Sequence, residues 1–363
     1  MLRFFTTIPR SAERRAQREY HDQIVAWKSV AEAYRFFELK RPEPLDPINH
    51  ATALHRLANF SRKKQAVKIP AELHIGEFTP EWRPRAISNV LWAAGALNAP
   101  GIIQDFKVSS LTGLPQGFNS WSAKDLVNGL WGLTACEHLE SGNFLASFEE
   151  SFSRLDGVVT AVESALLIWC RAKLCPHEFL PDRYVALLKS RIHEMEFRDL
   201  SMSIWSLGKT RTVDEEVAAG SVERARMLLA RGARPESNQQ ILANLIWGYA
   251  ESNINKSESM LELLRDHVNL FECSAEQVTM ILTSFARESL RLPESTDRVM
   301  FDSSYRCREL VNTIWALSRY VRDQEDLLIR ASVALSRLGS SELSVDDVSM
   351  LSRALGSAYY GNS

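Results

Sequence analysis

The stretch KDLVNGLWGLTA, Lys124–Ala135, places an Asn three residues before a Trp inside an apolar run. It returns in altered form as RAISNVLWAAGA (85–96), QILANLIWGYAE (240–251) and RELVNTIWALSR (308–319). Used as a ruler, the Trp falls at Trp92, Trp131, Trp169, Trp205, Trp247 and Trp315, with Phe285 taking its place between the last two. Further steps of 37 residues reach His55 on one side and Ser352 on the other. A period of this size marks a repeat architecture.

Each block has the pattern of a helix. Around Trp131, Leu126, Val127, Leu130, Leu133 and Thr134 form one apolar stripe at 100° per residue, with the Trp at its edge. Starts are signalled by Ser122-x-x-Asp125, Thr160-x-x-Glu163, Ser237-x-x-Gln240, Ser274-x-x-Gln277 and Ser344-x-x-Asp347, in which each partner caps the other's backbone. A second helical pattern lies between blocks at 143–155, 182–195, 221–233, 259–271 and 324–338. The segment GKTRTVDEEVAAGS reads as a long turn, and RLPESTDRVMF as a place where a second helix is missing. One hairpin cannot bury its own apolar faces, but stacked hairpins can. The expectation is an all-α protein, a right-handed α-solenoid of about eight helix–turn–helix repeats of about 37 residues. Trp92, Trp131, Trp169, Trp205, Trp247 and Trp315 are expected as buried wedges between neighbouring hairpins.

The 363 residues divide into an N-terminal stretch and this array, which is expected over 48–363. Residues 13–47 read as an amphipathic helix over 13–37, carrying Tyr20, Ile24, Trp27, Ala31 and Tyr34, followed by a linker that begins at KRPEPLDP. Residues 1–12 contain arginine and hydroxyl side chains but no acid, as in a mitochondrial or, less readily, a plastid targeting segment. Residues 1–70 carry a net charge of +7 and the remainder −9. The five cysteines have no metal-finger spacing and sit in apolar segments, which suits reduced thiols in a cytosolic, nuclear or organellar compartment; the N-terminal segment makes the mitochondrial matrix the expected one. No apolar run is long enough to span a membrane.

The blocks SNVLWAAGAL (88–97), VNGLWGLTA (127–135), ANLIWGYAE (243–251) and VNTIWALSR (311–319) resemble the first helix of octotricopeptide and heptatricopeptide repeats, to which FAST-kinase-like domains are related. The resemblance covers most of 50–363. It implies an organellar RNA-binding protein, a mitochondrial ribosome component or a factor in RNA processing or translation, working inside a large assembly. Leu166 and Met202 replace the Asn in two repeats, and no RAP-type domain follows the last one.

Within each first helix, the positions seven and three before the Trp share a side with it. The first position carries Arg85, Lys124, Arg198, Gln240 and Arg308; the second carries Asn89, Asn128, Asn244 and Asn312. In the RNA reading, the cations meet phosphates or stack on bases, and the amides meet base edges of rRNA or an organellar transcript. Arg62, Lys63 and Lys64 offer a further phosphate contact. The plainer expectation for the amides is a ladder of bonds to the neighbouring hairpin's backbone, with the cations as solvated flanks. The alternative function is a protein scaffold of an organellar, for example respiratory, complex. The acid excess beyond residue 70 favours that alternative, because RNA affinity rests on phosphate neutralisation.

No enzyme is expected. SLGKT (206–210) has the tail of a phosphate loop, but Ser203 stands where its first Gly belongs and the segment is a helix end. Cys170, Cys175 and His177 lack a fourth ligand at metal spacing, and no nucleophile–base pattern occurs. No cofactor, metal or small-molecule substrate is expected.

Overall fold

The computed structural model describes residues 10–39, 44–75, 78–104, 106–112, 117–155, 158–235, 238–252, 257–338 and 342–360. Regular structure among the described residues is entirely helical: seventeen α-helices with short 3-10 turns, and no strand. The chain forms two compact units, Met1–Val159 and Thr160–Ser363. Unit 1 holds α1 (Arg10–Ala26), α2 (Val30–Glu38), α3 (Pro47–Arg62), α4 (Pro84–Ala96), α5 (Val108–Thr112), α6 (Ala123–Ala135) and α7 (Ser141–Leu155). Unit 2 holds α8 (Ala161–Leu174), α9 (Asp182–Arg191), α10 (Phe197–Thr210), α11 (Glu215–Ala230), α12 (Gln239–Glu251), α13 (Ser257–Arg265), α14 (Ala275–Arg287), α15 (Cys307–Ser318), α16 (Val321–Leu338) and α17 (Val345–Tyr360).

The repeated blocks are the first helices, and their caps set a common register. Thr160 and Ser274 close reciprocal capping boxes with Glu163 and Gln277. Ser122 Oγ accepts from the Asp125 N–H at 3.2 Å, and Ser344 Oγ from the Asp347 N–H at 3.2 Å. Ser237 lies outside the described residues; Asn238 caps α12 and accepts from the Gln240 N–H. In α4, α6, α8, α10, α12 and α15, the Trp stands nine residues after the cap. The same count from Ser274 reaches Thr283, not Phe285, and from Ser344 it reaches Arg353, not Ser352. Thr283 is half-buried like the tryptophans, whereas Phe285 is fully buried in the place held by Tyr249 and Leu317. Aromatic identity misplaces that repeat by two residues; the cap places it correctly. His55 keeps its place, nine residues after the Asp46 cap of α3.

Each first helix packs on the next: α3 on α4 and α4 on α6 in unit 1, and α8, α10, α12, α14, α15 and α17 in succession in unit 2. The residue before the Trp is a large aliphatic with no exposure, as with Leu91, Leu130, Ile204 and Ile246. The residue after it is small. At Gly132, an added Cβ would lie 2.0 Å from the Leu91 carbonyl oxygen; at Gly248, 2.5 Å from that of Ile204. Gly95 faces Gly132, and Gly208 faces Gly248, at similar closeness. Backbones therefore touch where α4 meets α6 and α10 meets α12. Between α14 and α15, threonines make the joint, with Thr279 Oγ1 3.1 Å from Thr313 Oγ1.

The indoles are not the buried wedges expected. Trp92, Trp131, Trp169, Trp205, Trp247 and Trp315 are all half-buried at the edge of these joints. Trp27, Trp82 and Trp121, outside the repeated place, are 4, 9 and 2% exposed.

Second helices occur where expected, as α7, α9, α11, α13 and α16. α11 starts at Glu215, capped by Asp214, so most of the supposed long turn is helix, with Val217, Ala218 and Ser221 buried. The stretch without a second helix carries only a 3-10 turn, Glu294–Arg298. Its backbone is nonetheless held: Arg330 donates to the Val299 carbonyl at 3.2 Å, and Ser295 Oγ to that of Val268 at 3.0 Å. Tyr320 donates to the Phe285 and Leu290 carbonyls at 3.0 and 2.6 Å, and burial pushes its hydroxyl up to about 12.

The single helix expected over 13–37 is two. Ser29 caps α2 through the Glu32 N–H at 3.3 Å, which breaks the chain after α1. Beyond the break the buried face moves to Val30, Ala33 and Phe36, leaving Ala31 exposed. α1 is tied to α3 through Asn49, which donates to the Gln17 carbonyl at 2.8 Å, and through His21, 3.1 Å from Asn49 Oδ1. Residues 1–9, and Lys40–Glu43 of KRPEPLDP, lie outside the described residues.

Two outcomes follow from this packing. Gly132→Ala forces α4 and α6 apart and is expected to cost about 3 kcal/mol, whereas Gly101→Ala, with open space around it, is expected to change stability by less than about 1 kcal/mol; urea unfolding measures both. Burial lowers the pKa of His50 despite its bond to the Leu73 carbonyl. Burial first, then Arg85, Arg56 and Arg62, lowers that of His55. The fold thus favours neutral imidazoles. Their contribution is intact above about pH 6.5, the unfolded value, and declines as the pH falls through the lower folded values. Melting temperature should drop between pH 7.5 and 5.5, and less so in a His50→Gln, His55→Gln double variant.

Candidate nucleic-acid interface

On each first helix, the positions seven and three before the aromatic place, the place itself and the position four after it fall within about 60° of one another. They form one outward strip per helix. In unit 1 the strips bring together Arg85, Asn89 and Trp92 of α4 with Lys124, Asn128 and Trp131 of α6, and with His55 of α3. The aromatic rings run in file: His55 to Trp92 is 4.8 Å between centroids, and Trp92 to Trp131 is 6.2 Å at 33°. Arg62 stands over the Trp92 ring at 5.9 Å. In unit 2 the Trp205 and Trp247 rings are 6.0 Å apart at 32°. The Lys173 ammonium lies over both Trp169 and Trp205, at 5.6 and 5.2 Å. Arg319 stands over Trp315 at 5.7 Å.

The five residues seven places before the aromatic divide by partner. The Arg85 guanidinium reaches Asp125 of the next first helix at 3.3 Å, and Arg308 reaches Asp347 of its next helix in the same way. Both acids are N-terminal capping residues with nearly buried side chains, while the two arginine side chains stay 56 and 55% exposed. The hydrogen bond from Ser344 and the Arg308 guanidinium hold the Asp347 carboxyl below its usual range, against the effect of burial. These cations therefore join repeats while keeping an exposed edge. Lys124 and Arg198 are exposed, with no hydrogen bond or ion pair from their side chains among the described residues. Gln240 donates to Asn244 Oδ1 at 2.8 Å and accepts from Gln277 at 2.7 Å.

The amides do not tie hairpins together as expected. Asn89, Asn128 and Asn312 are half-buried, and their side chains make no hydrogen bond among the described residues; Asn244 bonds within its own helix. Arg62 ends α3, Lys63 caps it, and Lys64 leaves it with φ +62°; all three are exposed.

Sequence reasoning missed the position four after the aromatic place. It holds Lys173, Lys209, Arg287 and Arg319, all exposed, on the same helix face, but Ala96, Ala135 and Glu251 in α4, α6 and α12; Arg287 pairs with Glu251. The spacing alone could have found it. SLGKT is the last turn of α10, with Gly208 against Gly248. Cys170 is buried, Cys175 half-buried and His177 exposed; among the described residues no group of three potential ligands is placed to hold a metal. No described helix is long and apolar enough to cross a membrane.

Comparison with models of known protein families finds no match, and comparison with curated protein sequences finds none either. The strips are therefore read from their own chemistry.

A half-exposed indole and a buried neighbour should differ in cost. Trp131→Ala loses part of an apolar surface and one ring pair, about 1–2 kcal/mol; Leu130→Ala empties a fully buried site, about 2–5 kcal/mol. Chemical denaturation of the two variants ranks them, and a larger loss for Trp131 would contradict the half-exposed geometry.

Proposed function

We propose that this chain is a non-enzymatic, RNA-associated helical-repeat protein of an organelle, its hairpins continuing as an α-solenoid. On this reading it serves in a mitochondrial ribosome or as an RNA-processing or translation factor. The observation that carries the reading is the composition of the strips. Those of α4 and α6 contain cations, amides and aromatics, that of α3 an amide and a histidine, and none of the three a carboxylate, whereas Glu251, Glu276 and Asp346 stand in the strips of α12, α14 and α17; residues 71–363 carry a net charge of −9. Concentrating positive charge on one face lets an acidic chain attract a polyanion locally. The resemblance to organellar RNA-binding repeats and the acid-free first twelve residues support the compartment. A protein scaffold is the second reading, favoured by that same acid excess.

Fluorescence anisotropy with labelled single-stranded RNA separates the two. Affinity is expected to fall linearly with the logarithm of salt. Lys124→Ala and Arg198→Ala should weaken binding without regard to sequence, each lowering the slope by about 0.7. No binding at 50 mM salt, together with no RNA crosslinked to the chain in purified organelles, would leave the scaffold reading.

A further inference from the structure

We propose that the half-exposed tryptophans of the first helices are a base-stacking platform for single-stranded RNA. This rests on the RNA reading above and adds the part of the ligand that the rings would hold.

The chain itself supplies the contrast. Where a Trp serves packing alone, at Trp27, Trp82 and Trp121, it is buried. At the repeated place, six tryptophans in six helices all stop at half-burial. The core contact at that level is already made by the aliphatic before the Trp and the small residue after it. Helix propensity does not favour Trp over Leu or Ala. Ring and cation contacts within the chain cover part of each indole; the uncovered part is left for a contact from outside.

The geometry indicates which. The rings form files rather than isolated patches, with Trp92 beside Trp131 and Trp205 beside Trp247. Arg62 covers part of Trp92 and Lys173 part of Trp205; the ring surface left exposed along each file matches successive bases of one unpaired strand, and every base has a face to stack. A duplex hides those faces within its own stack. Cations share the strips with the files: Lys124 and Arg198 stand two helical turns before Trp131 and Trp205, and Lys173 lies over two rings. Asn89 and Asn128, with no hydrogen-bond partners for their side chains among the described residues, lie one turn away, within reach of a base edge. A basic groove alone would hold phosphates; the rings add a term that depends on the bases.

The test uses the full chain and two probes of equal length and charge, an oligoadenylate and an abasic oligomer. Wild type should bind oligoadenylate more tightly, with quenching of tryptophan fluorescence that the abasic strand does not produce. Trp92→Leu with Trp131→Leu, and Trp205→Leu with Trp247→Leu, should each weaken oligoadenylate binding about five- to hundredfold per ring engaged and leave the abasic strand within twofold. Trp→Phe at the same positions keeps a stacking surface and should fall between; it also serves if a Leu variant loses its fold. Equal affinity of wild type for both strands, without quenching, overturns the stacking proposal and leaves RNA held by phosphates alone. Binding of neither strand overturns stacking and the RNA reading together, and leaves the rings as a docking surface for protein.

Discussion

The joints of α4 with α6 and of α10 with α12 depend on bringing one backbone against another. Gly132 lies so near the Leu91 carbonyl that no side-chain carbon fits between them, and Gly248 repeats this against Ile204. Because the helices meet at that line, the aliphatic on one side of it is driven wholly inward and the residue between them is left at the rim. The close approach fixes where the aromatic stands without by itself selecting an indole there. Helices held apart by larger side chains would have room to draw an indole in, and the strip would lose its rings.

Legibility followed the range of the interactions. Caps are local, so Thr160 with Glu163 and Ser274 with Gln277 could be read directly, and they proved the better ruler. The repeat length and the helical class came from the same short-range signals. Burial at the rim was not legible, because a Trp at the edge of an apolar stripe looks the same whether the neighbouring helix covers it or stops short. The two uses of arginine were hidden for a related reason. Arg85 and Arg308 find their carboxylates about 40 residues along the chain, on the N-terminal turn of the following helix, while Arg198 has no acid at the corresponding point of α12, where Ile241 stands. Ser29-x-x-Glu32 was readable as a cap, but the continuous hydrophobic spacing on both sides of it masked the break.

Charge is distributed with the same economy of position. Acids are plentiful, yet on the first helices they gather at the capping turn, where they satisfy backbone N–H groups and complement the helix dipole. That use turns Asp125 and Asp347 toward the arginines of the neighbouring helix, whereas Glu251, Glu276 and Asp346 stand in the strips of α12, α14 and α17. A negative total charge is therefore compatible with strips free of carboxylates on α3, α4 and α6.

The constant nine-residue distance from cap to aromatic contrasts with connecting segments that differ in length and even in whether they contain a helix. A residue inserted between cap and aromatic turns everything after it by about 100°, which would swing the indole into the backbone joint and the glycine into water. An insertion between repeats turns nothing. Deletions and additions can thus accumulate in the connectors without harm, and natural variants of this chain are expected to differ in the span between repeats while each cap stays the same count from its ring.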